Sequence, residues 1–473
     1  MKHAAISLFD EYEHAYSAAL DKTAADWSKR SNALTSACEK LPPFYPIDGT
    51  WLDDCLCLCG QAGEKFLKLT LDQCPTFPKR DDYRAALKQR IECIIANAVR
   101  AREFRATDWV AYHRGSDDYW NRGKWINGRS LGATVDMLEQ LGLIESNLGE
   151  WGTASTYRMD FILRKLAGIC EVSFENVRRK LPPKDSLIVL RSGDKAKTEL
   201  RYRPSRAIRS WAESLDRYNC FVDQHNIALV LTNEEEISYL QSVYDNRSRR
   251  DRQPRMTRPE FFNRHSYRIH NDGRWDHGGR FYRTWWQSVP RNLRPKITID
   301  GKKTRERDYS GFLPRSLYHQ MQVNYPADKE PYDIPELTAM TNEAGWEPEE
   351  LRRSVKKMLI ALLNEDDDEG HPEKVKLPLS FEPYFSRKDV ECLIARQHPK
   401  LVKMFRTGEG KRNQRLDSDI AFKIMTRLMD KGILVLSIHD SFIVQEEHQD
   451  ALNSAMETSY RERLIFDPVI RDG

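Results

Sequence analysis

The chain has 473 residues, too many for one ordinary hydrophobic core, so its length predicts about two to four domains. Hydrophobic residues make up 40% and charged residues 31%, which is typical of a soluble globular protein, and no apolar run approaches the roughly 18 residues that cross a bilayer. Nine cysteines in a chain without a signal peptide favour a reducing compartment. We therefore expect a cytoplasmic protein with free thiols and no membrane partner.

The positive charge is unevenly distributed, although the net charge is only +4. Residues 247–294 contain 13 Arg, no Lys and four acids. Such a segment suits a polyanion, because each arginine can neutralise a phosphate and release counterions. A solvated basic face explains the same composition equally well.

The first predicted region, residues 1–105, is helical. Apolar residues recur every three or four positions in residues 7–30 and 84–104. Cysteines in this region lack the paired spacing of a zinc site, so we expect them to pack in the interior. They are Cys55, Cys57, Cys59 and Cys74.

Residues 106–165 are predicted to form a winged-helix-like module. A helix beginning near Ser130, a Gly-Leu-Ile stop, a glycine-bearing turn and a short strand follow one another within residues 127–163. This order resembles the recognition helix and wing of that module, which docks on nucleic acid, and makes Arg129 and Arg158 candidate phosphate contacts. A module used only for packing or protein contact is the alternative.

The C-terminal half contains four stretches with candidate chemistry. In the first, "WDHGGRFYRTWWQ", Asp276, Gly279 and Arg280 have the spacing D-x-x-G-R, and the paired glycines let the backbone approach a nucleic-acid strand. In the second, "TRERDYSGFLPRSLYHQ", a short strand is predicted to end at Asp308, and a helix begins after Gly311. A carboxylate at that point suits a metal ion and, equally, a helix cap.

The third stretch, "WEPEELRRSVKKMLIALLN", predicts a helix that begins at Pro348. Arg352 and Lys356 are four residues apart and so lie on one face, which Leu359 and Leu363 continue. Two cations ahead of an apolar stripe suit the phosphates of a bound nucleotide. A surface helix with two basic residues is the alternative.

The fourth stretch, "ILVLSIHDSFIVQEE", predicts a strand hairpin with His439 and Asp440 at its turn. Asp is a common turn former, so this residue alone does not require a ligand. An amphipathic helix is predicted just before it, over residues 413–433.

These four stretches resemble motifs of the polymerase superfamily that joins bacterial DNA polymerase I (family A) to the single-subunit RNA polymerases of bacteriophages and mitochondria. "DYS" at Asp308 is similar to the first palm motif, and "RRSVK" to the fingers-helix motif of the DNA polymerases. "IHDSF" at Asp440 and "DHGGRFY" are similar to motifs of the phage RNA polymerases. The resemblance covers about residues 270–450, with the motifs in the family's order.

The resemblance implies an α+β fold in which a palm-type antiparallel sheet is joined to helical fingers. The remaining predicted regions are a mixed connector or thumb-like region at 166–260, palm at 261–330 and 416–473, and fingers at 331–415. The resemblance also implies transfer of a nucleotide to a 3′-hydroxyl with two Mg²⁺ or Mn²⁺ ions about 4 Å apart. The partners would be nucleoside triphosphates, a DNA template and an RNA or DNA primer.

The resemblance assigns roles to individual residues. Asp308 and Asp440 would hold the ions, while Arg352 and Lys356 would hold the triphosphate, and Lys356 would also protonate the departing pyrophosphate. The residues implied to contact nucleic acid are Asp276, Gly279, Arg280 and His439.

Three positions depart from the family pattern. Leu313 replaces a Glu that opposes a ribose 2′-hydroxyl, and Ser441 stands where the DNA polymerases carry a Glu. Asn364 replaces a fingers Tyr that acts in sugar selection and translocation, and the acidic run 365–370 follows it. Leu313 and Asn364 would border the nucleotide. The first two departures favour ribonucleotides.

RNA synthesis or priming is therefore favoured over DNA gap filling or extension, and template-independent terminal transfer is a further alternative. A metal-dependent nuclease also uses paired carboxylates, but it has no need of two cations that hold a triphosphate. A non-catalytic nucleic-acid-binding regulator with a degenerate palm has no need of two carboxylates that face an anionic ligand.

Overall fold

The computed structural model of the chain describes residues 52–72, 74, 80–104, 109–112, 114, 128–148, 155–159, 176–194, 197–236, 238–239, 260–364 and 375–473. The predicted helix over 7–30, the arginines between 247 and 258, and the acidic run 365–370 lie outside the described residues. The described elements mix helices with mainly antiparallel sheets, in which only β6 and β8 pair in parallel among the described strands, in agreement with the predicted α+β class.

The N-terminal unit, formed by the described residues between 52 and 179, joins helices to two small antiparallel sheets. Its helices are α1 (Gly60–Asp72), α2 (Asp81–Phe104) and α3 (Gly128–Gln140), and its strands are β1 (Leu56–Leu58), β2 (Val110–Tyr112), β3 (Ile144–Asn147), β4 (Ser155–Met159) and β5 (Val177–Arg179). The strand orders are β2-β4-β3 and β1-β5. Ile91 and Ile94 of α2 pack with Leu131 and Val135 of α3 in one core.

The sequence predicted most of this unit's described elements. The helix expected over 84–104 lies within α2, the helix expected near Ser130 is α3, and the strand after the glycine-bearing turn is β4. Cys55 and Cys57 are buried, as expected, whereas Cys59 and Cys74 are only partly buried. The structure adds β1 to a region predicted as helical; this strand is only three residues long, and its partner β5 is distant in sequence.

The central sheet contains the strands that carry the predicted carboxylates. Its strands are β7 (Ile227–Leu229), β10 (Ile297–Ile299), β11 (Lys302–Tyr309), β12 (Leu436–Ile438), β13 (Ser441–Gln445) and β14 (Ile470–Asp472). They run antiparallel in the order β12-β13-β11-β10-β7, and β14 also pairs with β11. Strand β11 is therefore bonded on both edges near its end.

Two tight turns fix the register of this sheet. Asp300 and Gly301 join β10 to β11 with φ of 51° and 74°, the conformation that a two-residue hairpin loop requires. His439 and Asp440 form the loop between β12 and β13, where His439 has a φ of 60°. Both the turn before Asp308 and the hairpin at Asp440 were predicted from the sequence and are confirmed.

Helices α4 (Arg206–Val222), α10 (Glu409–Met429) and α11 (Gln449–Leu464) share one hydrophobic core with the central sheet. A second sheet of β6 (Ile188–Leu190), β8 (Tyr267–His270) and β9 (Gly278–Tyr282) joins the same core. Gly279 has a φ of 80°, and a Cβ added there would lie 2.9 Å from His270 and 3.0 Å from Ser418 of α10. The D-x-x-G-R glycine thus allows α10 to approach β9 closely.

The helical unit, residues 312–405, has its own core. It contains α5 (Phe312–Gln320), α6 (Pro335–Ala339), α7 (Thr341–Ala344), α8 (Pro348–Asn364) and α9 (Arg387–Gln397). Helix α8 begins at Pro348, as predicted, with Glu349 and Glu350 in its first turn, where acids favour the helix dipole.

Short 3-10 helices connect several of these elements. They are Lys184–Ser186, Trp285–Ser288, Arg291–Lys296, Val402–Met404 and Glu446–His448. Within the described ranges, no helix combines the length and the apolar character needed to cross a membrane.

Candidate active site

The two carboxylates predicted to bind metal lie on neighbouring strands of the central sheet. Strands β11 and β13 pair so that Asp308 faces Ser441, and the amide of Tyr309 donates a 3.2 Å hydrogen bond to the carbonyl of Asp440. Because Asp440 immediately precedes Ser441, the hairpin holds its carboxylate beside that of Asp308. The structure therefore brings together two residues that are far apart in the sequence.

The charges around Asp308 are unbalanced. Burial and the negative charge of Asp440 raise the pKa of Asp308 to about 7, and Glu306 adds to the repulsion, although Lys356 and Arg291 oppose it. A divalent cation would relieve this repulsion, and carboxylate oxygens are the ligands that Mg²⁺ and Mn²⁺ take in proteins. By charge and donor chemistry, Asp308 and Asp440 fit such an ion.

A third carboxylate, Asp417 of α10, belongs to this site and was missed by the sequence analysis. Its side chain is 2% exposed and accepts a 2.6 Å hydrogen bond from Nε of Arg280. Burial raises the pKa of Asp417 to about 6, and Asp440 contributes to the rise, although Arg280 opposes it. The sequence did contain one signal for it. Asp417 lies four residues after Asn413 and three before Ile420, which places this acid on the buried face of α10.

The three members of the D-x-x-G-R motif have different environments. Arg280 is largely buried and lies close enough to Asp417 and Asp440 for both to raise its pKa against the effect of burial. Asp276 instead forms an exposed ion pair with Arg274 at 2.8 Å. Gly279 serves the close approach of α10. Their predicted contacts with nucleic acid stay predictions.

The cations predicted on α8 share one aromatic neighbour. Cζ of Arg352 lies 5.3 Å, and Nζ of Lys356 5.9 Å, from the ring centroid of Tyr332. This confirms that the two residues lie on one face of α8. Arg352 also pairs with Glu330 at 3.5 Å. Tyr332 was not predicted; burial raises its pKa, and the charge of Asp440 adds to that effect.

Glu306 is a further residue that the sequence analysis missed. It precedes Asp308 by two positions on β11, so both side chains lie on the same face of the strand. Arg294 donates a 2.7 Å hydrogen bond to Glu306, and the hydroxyl of Ser441 donates another. The side chain of Ser441 is thus hydrogen-bonded to a carboxylate from the neighbouring strand.

The remaining predicted nucleotide neighbours lie at the edges of this arrangement. Leu313 is half-buried against the core of the helical unit. Oδ1 of Asn364 is buried without a hydrogen-bond partner among the described residues, and a Cβ added at Gly410 would lie 2.4 Å from it. His439 lies with its ring centroid 5.4 Å from that of Tyr282, and burial together with Arg280 lowers its pKa to about 4.

The two arginines predicted to contact phosphate in the N-terminal unit are not part of this site. Arg129 is exposed at the start of α3. Arg158 of β4 pairs with Glu145 at 2.7 Å, and its guanidinium lies 4.7 Å from the ring centroid of Trp109. Their role in nucleic-acid binding remains a prediction.

Together these residues form a site in which one part favours a cation and another part favours an anion. Asp308 and Asp417 have raised pKa values despite the cations beside them, whereas Arg352 and Lys356 of α8 suit an anion. Divalent cations and a polyphosphate would satisfy both at once. No protein-family model matches this sequence, and a search of curated proteins gives no match.

Proposed function

We propose that the chain is a polymerase-type nucleotidyltransferase that adds nucleotides to a 3′-hydroxyl. The observation that carries the proposal is the adjacency of Asp308 and Asp440 on paired strands, with Lys356 near enough to Asp308 to favour its ionised form. A carboxylate pair beside cations is the arrangement that phosphoryl transfer needs, because negative charge develops on both the transferred phosphate and the leaving group.

The residues divide this work between two surfaces. Asp308 and Asp440 hold Mg²⁺ or Mn²⁺, and two such ions supply activation of the attacking oxygen and neutralisation of the pyrophosphate. Arg352 and Lys356 bind the triphosphate from one face of α8, where both lie near the ring of Tyr332. Lys356 is also placed to donate a proton to the pyrophosphate.

The proposed partners are a DNA template, an RNA or DNA primer and nucleoside triphosphates, with RNA synthesis or priming preferred. Leu313 has no carboxylate that could exclude a ribose 2′-hydroxyl, and the hydroxyl of Ser441 donates a hydrogen bond to Glu306. The preference also rests on the similarity of "IHDSF" and "DHGGRFY" to the phage RNA polymerases.

A single assay tests this proposal. The protein is incubated with Mg²⁺ or Mn²⁺, with ribo- or deoxynucleotides, and with a primed DNA template, an unprimed template or none. We expect product in at least one combination, and none from Asp308→Ala or Asp440→Ala. Asp430→Ala is the matched control, because Asp430 is exposed and pairs only with the distant surface residue Arg217 among the described residues.

The outcomes separate the alternatives. Robust extension by either carboxylate variant contradicts the site. Shortening of a labelled strand without added nucleotides identifies a nuclease instead. Strand binding by the wild type without incorporation under any condition identifies a non-catalytic nucleic-acid-binding protein.

A further inference from the structure

A second cationic cluster lies beside the candidate active site, on the sheet of β6, β8 and β9. Arg191 follows β6, and its backbone forms a bridge with Glu199. Arg283 follows β9, and its guanidinium donates a 3.0 Å hydrogen bond to the Glu199 carboxylate. Arg191 therefore contacts Glu199 through its backbone and Arg283 contacts it through its side chain, and we call this pair the Arg191–Arg283 cluster.

One aromatic residue connects this cluster with the carboxylates. Tyr282 immediately precedes Arg283, and its ring centroid lies 5.4 Å from that of His439, the neighbour of Asp440 in the hairpin turn. Tyr282 is also close enough to Arg191 to raise its pKa, against the effects of burial and of Arg283. The cluster thus lies one aromatic ring away from the turn that carries Asp440.

The Arg191 side chain has an unsatisfied donor within the described part of the chain. Its Nε is buried and has no hydrogen-bond partner among the described residues. Burial lowers the pKa of Arg191, and the positive charge of Arg283 lowers it further. Glu199 is paired with Arg283, and the positive charge of Arg283 is close enough to act on Arg191. Such an arrangement suits an additional anion, and arginine is the side chain best matched to phosphate.

The backbone of the cluster is held in an unfavourable conformation. Arg283 has a φ of 80°, in the left-handed region that non-glycine residues seldom adopt. The guanidinium of Arg283 is also fixed 4.2 Å from the ring centroid of Tyr267. Strained residues persist where the surrounding structure enforces them, which occurs most often at functional sites.

We infer that Arg191 and Arg283 bind a phosphate group of the strand that supplies the 3′-hydroxyl. The inference rests on the proposed function, because in-line transfer places the attacking and leaving oxygens on opposite sides of the phosphorus. The reaction therefore needs one anion site for the triphosphate and another for the strand. Arg352 and Lys356 on α8 form the first site, and the Arg191–Arg283 cluster on a different sheet forms the second.

The bound phosphate has two sources with the same chemistry. In primed synthesis it is a phosphodiester of the primer, a few linkages before its 3′ end. In unprimed synthesis it is the 5′-triphosphate of the nucleotide that begins the strand. These sources are distinguished by using primers and starting nucleotides that lack the charge.

The primer source is tested by binding alone, without nucleotides. Fluorescent primer–template duplexes carry one neutral methylphosphonate, moved through the last several primer linkages, and their affinity is measured by anisotropy. Wild type should lose about tenfold in affinity at one or two linkages. Arg191→Gln should bind the unmodified duplex about tenfold more weakly and lose nothing further at those linkages. Arg217→Gln is the control, because Arg217 is exposed and pairs with Asp430 away from the site.

The unprimed source is tested by dinucleotide formation from a starting nucleoside or its 5′-triphosphate. Arg191→Gln should raise KM for the triphosphate about tenfold and leave KM for the nucleoside unchanged. Thermal denaturation confirms that the variant is folded, and Arg191→Lys should restore part of the affinity. A charge-specific loss in either arm supports the inference.

Equal responses of wild type and Arg191→Gln in both arms would overturn the phosphate site while leaving the polymerase proposal intact. Absence of any incorporation by the wild type, together with a linkage-specific effect of Arg191→Gln on binding, would overturn the polymerase proposal and leave the phosphate site standing. The two failures are therefore distinguishable.

Discussion

Two buried arginine–aspartate pairs, one in each half of the chain, have opposite electrostatic balances. In the N-terminal unit, Arg179 and Arg100 lower the pKa of Asp53, although burial alone would raise it. In the candidate active site, Arg280 donates a hydrogen bond to Asp417, yet the pKa of Asp417 is raised to about 6. The same pair of residue types therefore gives shifts of opposite sign.

The difference comes from the neighbours of each pair. Asp53 has two arginines nearby, whereas Asp417 shares Arg280 with Asp440. Asp53, Asp54 and Cys55 do place three potential ligand atoms within 4.8 Å of one another, but Arg179 already neutralises Asp53. The charges that neighbour each pair, more than the geometry of the pair itself, distinguish a structural ion pair from a site suited to a further cation.

The largest expected effect is on catalysis by Asp440→Asn. Removing this charge should lower the single-turnover incorporation rate about a thousandfold, because a metal ligand is worth several kcal/mol in the transition state. Stability should not fall, because the repulsion of Asp308 and Asp417 disappears with it. A rate loss accompanied by a large drop in Tm would assign Asp440 a structural role instead.

The next largest effect compares the two arginines directly. Arg179→Met and Arg280→Met should each destabilise the protein by about 3 kcal/mol in chemical denaturation, because each removes the hydrogen-bonded cation of a largely buried carboxylate. Mg²⁺ should restore part of the loss in Arg280→Met, where the carboxylates can bind it, and none in Arg179→Met. Equal responses to Mg²⁺ would remove the distinction between the two pairs.

A smaller effect is expected on pH dependence. The raised pKa of Asp308, about 7 against 3.8 in the unfolded chain, means that the ion-free protein should lose on the order of 4 kcal/mol of stability as the pH rises through that window. Asp53 has the opposite sign, because its lowered pKa contributes stability above the ordinary value that is lost on acidification.

The pH effect is measured as the Mg²⁺-induced rise in Tm. This rise should be larger at pH 8 than at pH 5.5, because the ion replaces the proton. Asp308→Asn should remove most of the difference. A rise in Tm that is independent of pH in the wild type would contradict the raised pKa of Asp308.

The smallest expected effect concerns Ser441. Ser441→Ala removes the hydroxyl that donates to Glu306 and should cost about 1 kcal/mol of stability, measured by urea denaturation. Arg294 still pairs with Glu306, so that carboxylate is not left alone. Ser459→Ala is a comparison at a second buried serine, which accepts a 2.9 Å hydrogen bond from Arg427 outside the site.

Local sequence patterns predicted the local elements well. The Asp300-Gly301 turn, the start of α8 at Pro348 and the helix before the hairpin all depend on neighbouring residues, whose preferences can be read directly. The adjacency of Asp308 and Asp440 depends on pairing between distant strands. It was expected only because their motifs resemble, in order, those of a known family.

The missed residues share one physical reason. Helical periodicity marks Asp417 as buried, but its partner Arg280 is 137 residues away and no local pattern identifies it. Glu306 likewise meets Ser441 across a separation of 135 residues. Charge balance at a site is a sum over such distant partners, so the sequence alone pointed to Asp308 and Asp440 but neither to Asp417 and Glu306 nor to how strongly each carboxylate is perturbed.

The position of Asp308 also has a consequence for local opening. At Arg307 and Asp308, strand β11 is bonded to β13 on one edge and to β14 on the other. Backbone amides there should exchange with solvent only when the whole sheet unfolds. The backbone that carries the Asp308 carboxylate should therefore be among the slowest segments of the molecule to open. Helix α8 belongs to a separate core. Protection gained on nucleotide binding should therefore concentrate in α8, while β11 stays unchanged.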